Sequence, residues 1–204
     1  MDTTSSRPFP SILPNFLKPG FNQHHFYHYT GGFTPEECDR IIESFSPCCT
    51  SIATTFGGDG TLKTGGGRST RVKWIPYNDT TKWIYDKLIH YGSDANLNMF
   101  RLNISTLIDE IQFGLYDSQE HGCYGGHVDV GTNIHACRKL SMCVQLSDPS
   151  DYSGGDLVLK TQNLAPRGRG EIVVFPSNLH HEVTRVTSGK RYSLVLWLYG
   201  PPFV

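Results

Sequence analysis

The sequence predicts an α+β domain, mainly β, in which two helices come first and a run of strands follows. Three observations carry that expectation. Helical periodicity, with its start signals, is confined to the first half of the chain. From Ile104 onward the pattern changes to short strand-like segments separated by turn residues. Twenty-one glycines and twelve prolines in 204 residues favour short strands joined by turns over long helices. Helices first and strands after, with the helices covering one sheet, is the outline of a helix-backed β-barrel domain. The length suits one domain with a real core, and the chain shows no internal repeat and no second domain.

Taken in order, residues 1–24 are rich in Ser, Thr, Pro and Asn and read as an extended N-terminal arm, with the domain proper over 25–204. His24, His25 and His28 cluster at the junction and read as solvated or packing histidines. Phe26-Tyr-His-Tyr29 should be a strand. Thr34-Pro35-Glu36-Glu37 has every mark of a helix start: Thr as N-cap, Pro at the first helical position, acids in the first turn, and Glu37 placed for a capping box. That helix runs through Cys38, Ile41, Ile42 and Phe45, and Pro47 stops it. The glycine-rich stretch 57–67 reads as a mobile loop and a candidate lid. It lacks the phosphate-cradling G-x-x-x-x-G-K-[ST] pattern. Arg71 to Ile75 reads as a strand. Thr80 and Thr81 open a second helix through Trp83, Ile84, Leu88 and Ile89, with further helical turns expected over Asp94–Phe100. Strands are then expected over 104–116, 124–129, 138–146, 155–160, 170–175, 180–187 and 190–199.

Bulk properties exclude several function classes. A net charge of −1 and a pI of about 6.7 leave no polybasic footprint for nucleic acid or an anionic membrane surface. No run of 18 apolar residues suggests a membrane span, and the N-terminus lacks a secretory pattern. Six cysteines without a C-x2-C pair are not a zinc pattern; free, mostly buried thiols in a reducing cytoplasm are the expectation.

The chemistry concentrates in three places. Gly125-Gly-His127-Val-Asp129 puts an imidazole and a carboxylate at positions i and i+2, which share a face if the segment is a strand. Phe175-Pro-Ser-Asn-Leu-His180-His181-Glu-Val183 supplies a second imidazole after a turn. Which of the two histidines faces inward is a one-residue register question. Two histidines and one carboxylate are the ligand set of a non-haem Fe(II) centre with open positions. Arg191 and Ser193 share a face of a later strand. A guanidinium aimed inward is expensive to bury without an anion. That anion is an internal carboxylate or, beside an iron triad, a carboxylate of an organic co-substrate held by a two-pronged contact. The set points to an oxygenase using iron, O2 and 2-oxoglutarate. Tyr116 could donate its hydroxyl to the same ligand or be a core tyrosine. Arg68, Arg71 and Arg101 could reach a substrate, though isolated arginines are more often surface residues. Two rival readings share the triad: a zinc or manganese hydrolase or isomerase, and a binding module without turnover.

An ordered set of motifs resembles one family. It comprises Phe33-Thr-Pro-Glu-Glu-Cys-Asp-Arg-Ile-Ile42, Arg68-Ser-Thr-Arg-Val-Lys-Trp74, Tyr116 through His127-Val-Asp129, and Arg138-Lys-Leu-Ser141. It continues with Gln145-Leu-Ser-Asp-Pro149, Tyr152-Ser-Gly-Gly-Asp-Leu157, Phe175-Pro-Ser177, His181-Glu-Val183-Thr and Gly189-Lys-Arg191-Tyr-Ser-Leu-Val-Leu-Trp197. From about residue 26 onward the chain resembles the prolyl-4-hydroxylase-like, PKHD-type branch of the 2-oxoglutarate/Fe(II) dioxygenases. The resemblance implies a double-stranded β-helix, or jelly roll, backed by N-terminal helices. It implies that His127, Asp129 and His181 bind Fe(II), which leaves His180 as a neighbouring second-sphere or core residue. It implies that Arg191 grips the distal carboxylate of 2-oxoglutarate with Tyr116 and Ser193. Hydroxylation of a C–H bond with release of succinate and CO2 follows, with O2 as co-substrate and ascorbate as an optional addition. The implied substrate is a prolyl or other residue of a peptide or protein, a free amino acid, or a small natural product. Nucleic acid and membrane are not expected partners, and oligomeric state is left open. The chain departs from the family over 48–67, where these enzymes usually contact substrate, so substrate identity does not carry over.

Overall fold

The computed structural model describes residues 26–53, 55–56, 62–63, 67–159 and 163–202. The expected arm over 1–24 lies outside the described residues, as do His24, His25 and most of the 57–67 loop. Strands and helices follow in the order β1 (Tyr27–Tyr29), α1 (Pro35–Phe45), β2 (Ser51–Ile52), β3 (Thr55–Phe56), β4 (Leu62–Lys63), β5 (Arg68–Ser69), β6 (Arg71–Ile75) and α2 (Lys82–Ala95). They continue with β7 (Ile111–Asp117), β8 (Cys123–His127), β9 (Arg138–Gln145), β10 (Tyr152–Gly154), β11 (Leu157–Leu159), β12 (Asn163–Leu164), β13 (Ile172–Pro176), β14 (His181–Val183) and β15 (Val186–Tyr199).

Both helices form where their start signals stand. At α1 the Thr34 hydroxyl accepts from the Glu37 N–H at 3.2 Å, and the Glu37 carboxylate accepts from the Thr34 N–H at 2.8 Å. This is a complete capping box. Cys38 and Ile41 are buried, Ile42 and Phe45 pack beside them, and Pro47 sits in the 3-10 turn that ends the helix. At α2 the capping oxygen comes from one turn earlier than expected. Asn78 Oδ1 accepts from the N–H groups of Thr80 and Thr81 at 3.0 and 3.2 Å. The Thr81 hydroxyl is already engaged by the Asn78 N–H and the Pro76 carbonyl, so it caps nothing itself. The expected extra turns are a π-helical segment, Asn96–Phe100, closed by Arg101 in the left-handed region at φ 52°.

Apart from β3 and β4, which pair only with each other, the strands build two facing antiparallel sheets, a jelly roll with the helices on its outer side. The larger sheet runs β1-β13-β9-β15-β7-β6-β2, with β10 also paired to β15; the smaller runs β12-β11-β14-β8-β5. Each sheet face of the larger sheet has its own core. The outer face buries Phe113, Leu140, Met142, Val144, Leu194 and Leu196 against Cys38, Ile41, Ile84 and Leu88 of the helices. The inner face meets the smaller sheet through Tyr116, Cys143, Val173, Phe175, Leu157, Leu159 and Val183.

Several expected boundaries move. The segment expected as one strand over 104–116 becomes strand only at Ile111; before it, a single bridge joins Thr106 to Tyr199. Asp109 is drawn instead into an ion pair with Arg138. The 155–160 expectation narrows to β11, and a strand that was not expected, β10, precedes it; the chain turns between them at Gly154 and Gly155, both in the positive-φ region at +71° and +65°, a conformation glycine adopts without penalty. The 180–187 expectation ends at Val183, and β15 already starts at Val186. All six cysteines are unpaired; Cys38, Cys49 and Cys143 are buried, whereas Cys48 is exposed. No helix among the described residues is long and apolar enough to cross a membrane.

Candidate metal centre and co-substrate cleft

β8 and β14 are paired with His127 opposite His181, so antiparallel pairing alone sets the two imidazoles side by side. Their ring centroids are 4.1 Å apart. Asp129 lies two residues on, past the end of the strand, which corrects the expectation that the strand continues through it. What holds it is the turn after β13: the Asp129 and Val130 N–H groups both donate to the Ser177 carbonyl, at 2.8 and 3.2 Å. The result still converges. Asp129 Oδ1 is 3.5 Å from His127 Nε2, and Asp129 Oδ2 is 3.6 Å from His181 Nε2. One ligand atom from each of the three residues falls within 4.8 Å of the others, and this is the only such group among the described residues.

The protonation pattern suits a metal. His127 Nδ1 is 2.9 Å from the Gly125 carbonyl, and His181 Nδ1 is 2.9 Å from that of Leu179. Each carbonyl requires a proton on Nδ1, which turns Nε2 toward the shared point. Burial holds the His181 imidazole below its usual range, helped by the neighbouring histidines and opposed by Asp129. For Asp129 burial works the other way and favours the neutral acid. Hydrogen bonding to His127, the charges of His181 and His127, and the Ser141 hydroxyl outweigh it and keep the carboxyl well below the usual carboxylate range. The Ser141 hydroxyl donates to Asp129 Oδ2 at 2.6 Å, and Ser177 Oγ lies 3.0 Å from Ser141 Oγ, so the Ser177 hydroxyl donates in turn. Arg138 adds a contact of 3.2 Å to the Asp129 carbonyl while paired to Asp109. Two imidazoles with Nε2 turned inward and an ionised carboxylate, oriented by outer partners, fit a divalent ion with open positions, whose charge would stand where imidazolium charge otherwise supports Asp129.

The register question is resolved in favour of His181, which is buried. His180 points the other way and is exposed, not a core residue; its ring lies over Gly126, where a Cβ would come within 2.5 Å of it.

Arg191 and Ser193 point from β15 into the same cleft and are 3% and 1% exposed, which puts both beyond the reach of bulk water. Arg191 Nε donates to Gln145 Oε1 at 3.0 Å, Nη2 lies 3.9 Å from Cys143 Sγ, and the guanidinium carbon sits 5.1 Å from the Tyr116 ring centre. Nη1 is buried without an acceptor. No carboxylate pairs with Arg191 among the described residues, so an internal ion pair does not account for it. An orphaned, buried guanidinium donor is what a ligand carboxylate would satisfy. Ser141, Cys143 and Gln145 alternate along β9, so Asp129's partner Ser141 and Cys143, which Arg191 Nη2 approaches, are one two-residue step apart, roughly 7 Å. A five-carbon diacid has about that reach. Tyr116 is 5% exposed and stands directly across β7 from Arg191, and Ser193 stands across from Gly114.

Three contributors escaped the sequence reading. Gln145 and Ser141 are described above. Tyr124 stacks on His127 at 3.5 Å with 16° between ring planes, and carries the Arg68 guanidinium 4.2 Å above its own ring. Strict alternation puts residues three apart on opposite faces. Here His127 faces His181 and Tyr124 faces Val183, three steps on one strand against two on the other. The extra residue of this bulge resets the alternation and brings Tyr124 to the metal side. Gly125-Gly126 is the signal that marks where such a bulge is cheap. Arg68 is therefore half-buried in the cleft and not on the open surface, while Arg71 pairs with Glu120 and Arg101 is exposed.

A β-jelly roll holding a His-Asp-His group beside a buried, unpaired arginine defines the class of iron- and 2-oxo-acid-dependent oxygenases. Residues 111–199 match the family model described as the 2OG-Fe(II) oxygenase superfamily. The chain is 28% identical over 183 residues to the PKHD-type hydroxylase YbiX of Escherichia coli (strain 55989 / EAEC), covering 84% of this chain and 77% of the relative. The Shigella dysenteriae protein of the same name matches equally, at 28% with 84% and 77% coverage. Among solved structures, a Trichoplax adhaerens prolyl hydroxylase in complex with a hypoxia inducible factor peptide fragment superposes with a TM-score of 0.70 at 15% identity, covering 88% and 85% of the two chains. A Pseudomonas putida prolyl-4-hydroxylase gives 0.63 at 18%, covering 88% and 94%. The viral collagen prolyl hydroxylase of Paramecium Bursaria Chlorella virus-1, in its 2OG complex, gives 0.64 at 16%, covering 89% and 99%. These chains share the fold. Over residues 111–199 the chain matches the 2OG-Fe(II) oxygenase superfamily, and over most of its length it is similar to PKHD-type hydroxylases. It is an oxygenase, and the superfamily whose model it matches uses Fe(II), 2-oxoglutarate and O2.

Proposed function

We propose that the protein hydroxylates a C–H bond of a prolyl or other residue in a peptide or protein, using O2 and converting 2-oxoglutarate to succinate and CO2, with one oxygen atom going to each of the substrate and succinate. The carrying observation is the His127, Asp129, His181 group with both Nδ1 atoms tied to carbonyls and an unpaired Arg191 in the same cleft. On this reading Nε2 of His127, Nε2 of His181 and the Asp129 carboxylate hold Fe(II). When bound, the metal supplies the one-electron and oxygen chemistry that side chains lack. The protein's residues do the rest. Arg191 and Ser193 hold the distal carboxylate of 2-oxoglutarate, Tyr116 walls the guanidinium, and Gln145 fixes Nε so that the remaining donors face the ligand. Ser141 and Ser177 keep Asp129 ionised and aimed. Phe175 and Leu157 line the cleft with apolar surface, which excludes water from the reacting carbon. The peptide preference draws on the prolyl hydroxylases that share the fold, one of which is seen with a peptide. A zinc or manganese hydrolase on the same triad has no use for the unpaired arginine.

The test is oxygen-dependent succinate formation by the Fe(II)-loaded full chain, with mass spectrometry of prolyl peptides for the gain of one oxygen atom. Arg191→Ala is expected to raise the 2-oxoglutarate requirement by roughly thirty-fold or more, since truncating one side of a buried charged pair costs about 2–5 kcal/mol. Iron affinity should hold. A change in iron affinity alone gives Arg191 another job, and no succinate under any condition defeats the reading.

A further inference from the structure

Arg191 has a counterpart that the proposed chemistry leaves unused. Arg68 on β5 is half-buried at the side of the metal cleft. Its Nη2 donates to Gln112 Oε1 at 2.9 Å, as Arg191 Nε donates to Gln145 Oε1 at 3.0 Å. Its guanidinium lies over Tyr124 at 4.2 Å, as that of Arg191 lies over Tyr116 at 5.1 Å. Each keeps one buried nitrogen without an acceptor, Nε in Arg68 and Nη1 in Arg191. The other arginines near carboxylates use them: Arg71 with Glu120, Arg138 with Asp109, Arg167 with Asp156, Arg169 with Asp39. Among the described residues no carboxylate reaches Arg68.

A glutamine anchor, an aromatic platform and an unsatisfied donor make a built anion receptor, because the cost of desolvating the guanidinium is recovered only by an anionic acceptor. Its place is set by Tyr124, whose other face is stacked on His127. The guanidinium is thus one ring removed from a metal-facing imidazole, on the flank where a substrate would lie. We propose that Arg68 is a substrate subsite that takes a carboxylate, so that the hydroxylated molecule is acidic close to its reacting carbon. This rests on the oxygenase reading of the cleft. The carboxylate comes from one of two sources: the free α-carboxylate of a chain end or amino acid, or an acidic side chain next to the target residue.

The experiment follows arginine Nε–H signals by NMR in the isotope-labelled full chain, loaded with diamagnetic Zn(II). Arg68→Lys and Arg191→Lys each delete one cross-peak and so assign it. Saturating 2-oxoglutarate is expected to move the Arg191 signal. Acetate, added afterwards, is expected to move the Arg68 signal saturably, and acetamide is not. Gln112→Glu places a carboxylate on Arg68 from within and is expected to abolish the acetate response while sparing that of Arg191; this arm holds even if Arg68→Lys fails to fold. N-acetylproline and a capped prolyl-glutamate peptide then separate the two sources, each against its amide counterpart. The preferred acid should bind about ten-fold tighter than its amide, the increment of a hydrogen bond to a charged group. A still Arg68 signal with a responsive Arg191 sinks the subsite and leaves the oxygenase reading standing. A responsive Arg68 with a still Arg191 overturns the oxygenase reading and, with it, the substrate role of Arg68, leaving only an anion site. Acids that bind no better than amides also overturn the subsite.

Discussion

The two faces of the larger sheet are built from the same strands and do opposite work. Along β15 the residues facing the helices are Leu194, Leu196 and Leu198, at 0%, 0% and 4% exposure, while Arg191 and Ser193 face the cleft at 3% and 1%. Along β9 Leu140, Met142 and Val144 face out, and Ser141, Cys143 and Gln145 face in. Both faces are dry. One fills its space with apolar side chains, which contribute roughly 25 cal/mol for each square ångström removed from water. The other spends burial on a guanidinium, amides and hydroxyls, which costs stability unless each finds a partner. Stability and chemistry are therefore separable at one-residue resolution, because successive side chains of a strand point to opposite faces.

The sharpest way to break that separation is Asp129→Ala. It removes one of the three proposed ligands and the acid beside both histidines, and is expected to lower succinate formation at least about a thousand-fold. The metal-free protein should still fold, with a somewhat lower melting temperature, since the contacts that hold Asp129 ionised are lost. Near-normal turnover, or a protein that no longer folds, would mean the inner face is not what it looks like. On the other side, Leu196→Ala should cost about 2–5 kcal/mol of stability, read as a lower denaturation midpoint. Below that transition its 2-oxoglutarate dependence should match that of the parent. Between these lies Ser141→Ala. Its hydroxyl touches the Asp129 carboxylate and nothing of the outer core, so on the proposed reading metal affinity should fall about ten- to a hundred-fold. Stability should move by no more than about a kcal/mol, the ordinary worth of one hydrogen bond. A titration with Co(II), followed by its visible bands, reads the first, and urea unfolding the second.

How much of this was legible follows from the range of the interactions. The α1 start is local: Thr34, Pro35 and Glu37 stand within four residues, and the capping box closes as written. The alternation of β15 is local too, so Arg191 and Ser193 were assignable to one buried face. Tyr124 was not, because its position depends on a bulge, and a bulge is decided by what β14 offers across the ladder. The glutamine anchors were invisible for the same reason: Gln145 and Gln112 stand 46 and 44 residues from the arginines they hold. Residues 104–110 look like strand by pattern, but Asp109 finds a better partner in Arg138 and Tyr199 than a ladder position would give. Local chemistry reads from sequence, whereas polar partners chosen across the fold do not.

The smallest effect probes the outer side at its far edge. Glu37 closes the α1 capping box and also meets the Lys87 ammonium of α2. Burial alone would raise its carboxyl; the Lys87 hydrogen bond, the Thr34 N–H and the Lys87 charge outweigh that and hold it below the usual value. A carboxyl lowered in the folded state binds fewer protons there than in the unfolded chain, whose glutamate titrates near about 4.3. The contribution is therefore complete above that pH and is lost as pH falls through the lower, folded value. Glu37→Gln keeps an oxygen for the Thr34 N–H and discards the charge. It should unfold slightly more easily than the parent at neutral pH, by less than about 1 kcal/mol for so exposed a pair. The difference should close as both are taken into acid. Metal and 2-oxoglutarate binding should not register the change, because the carboxylate lies behind the outer core and touches no residue of the cleft. A shifted 2-oxoglutarate requirement in this variant would show that the sheet transmits what its alternation separates.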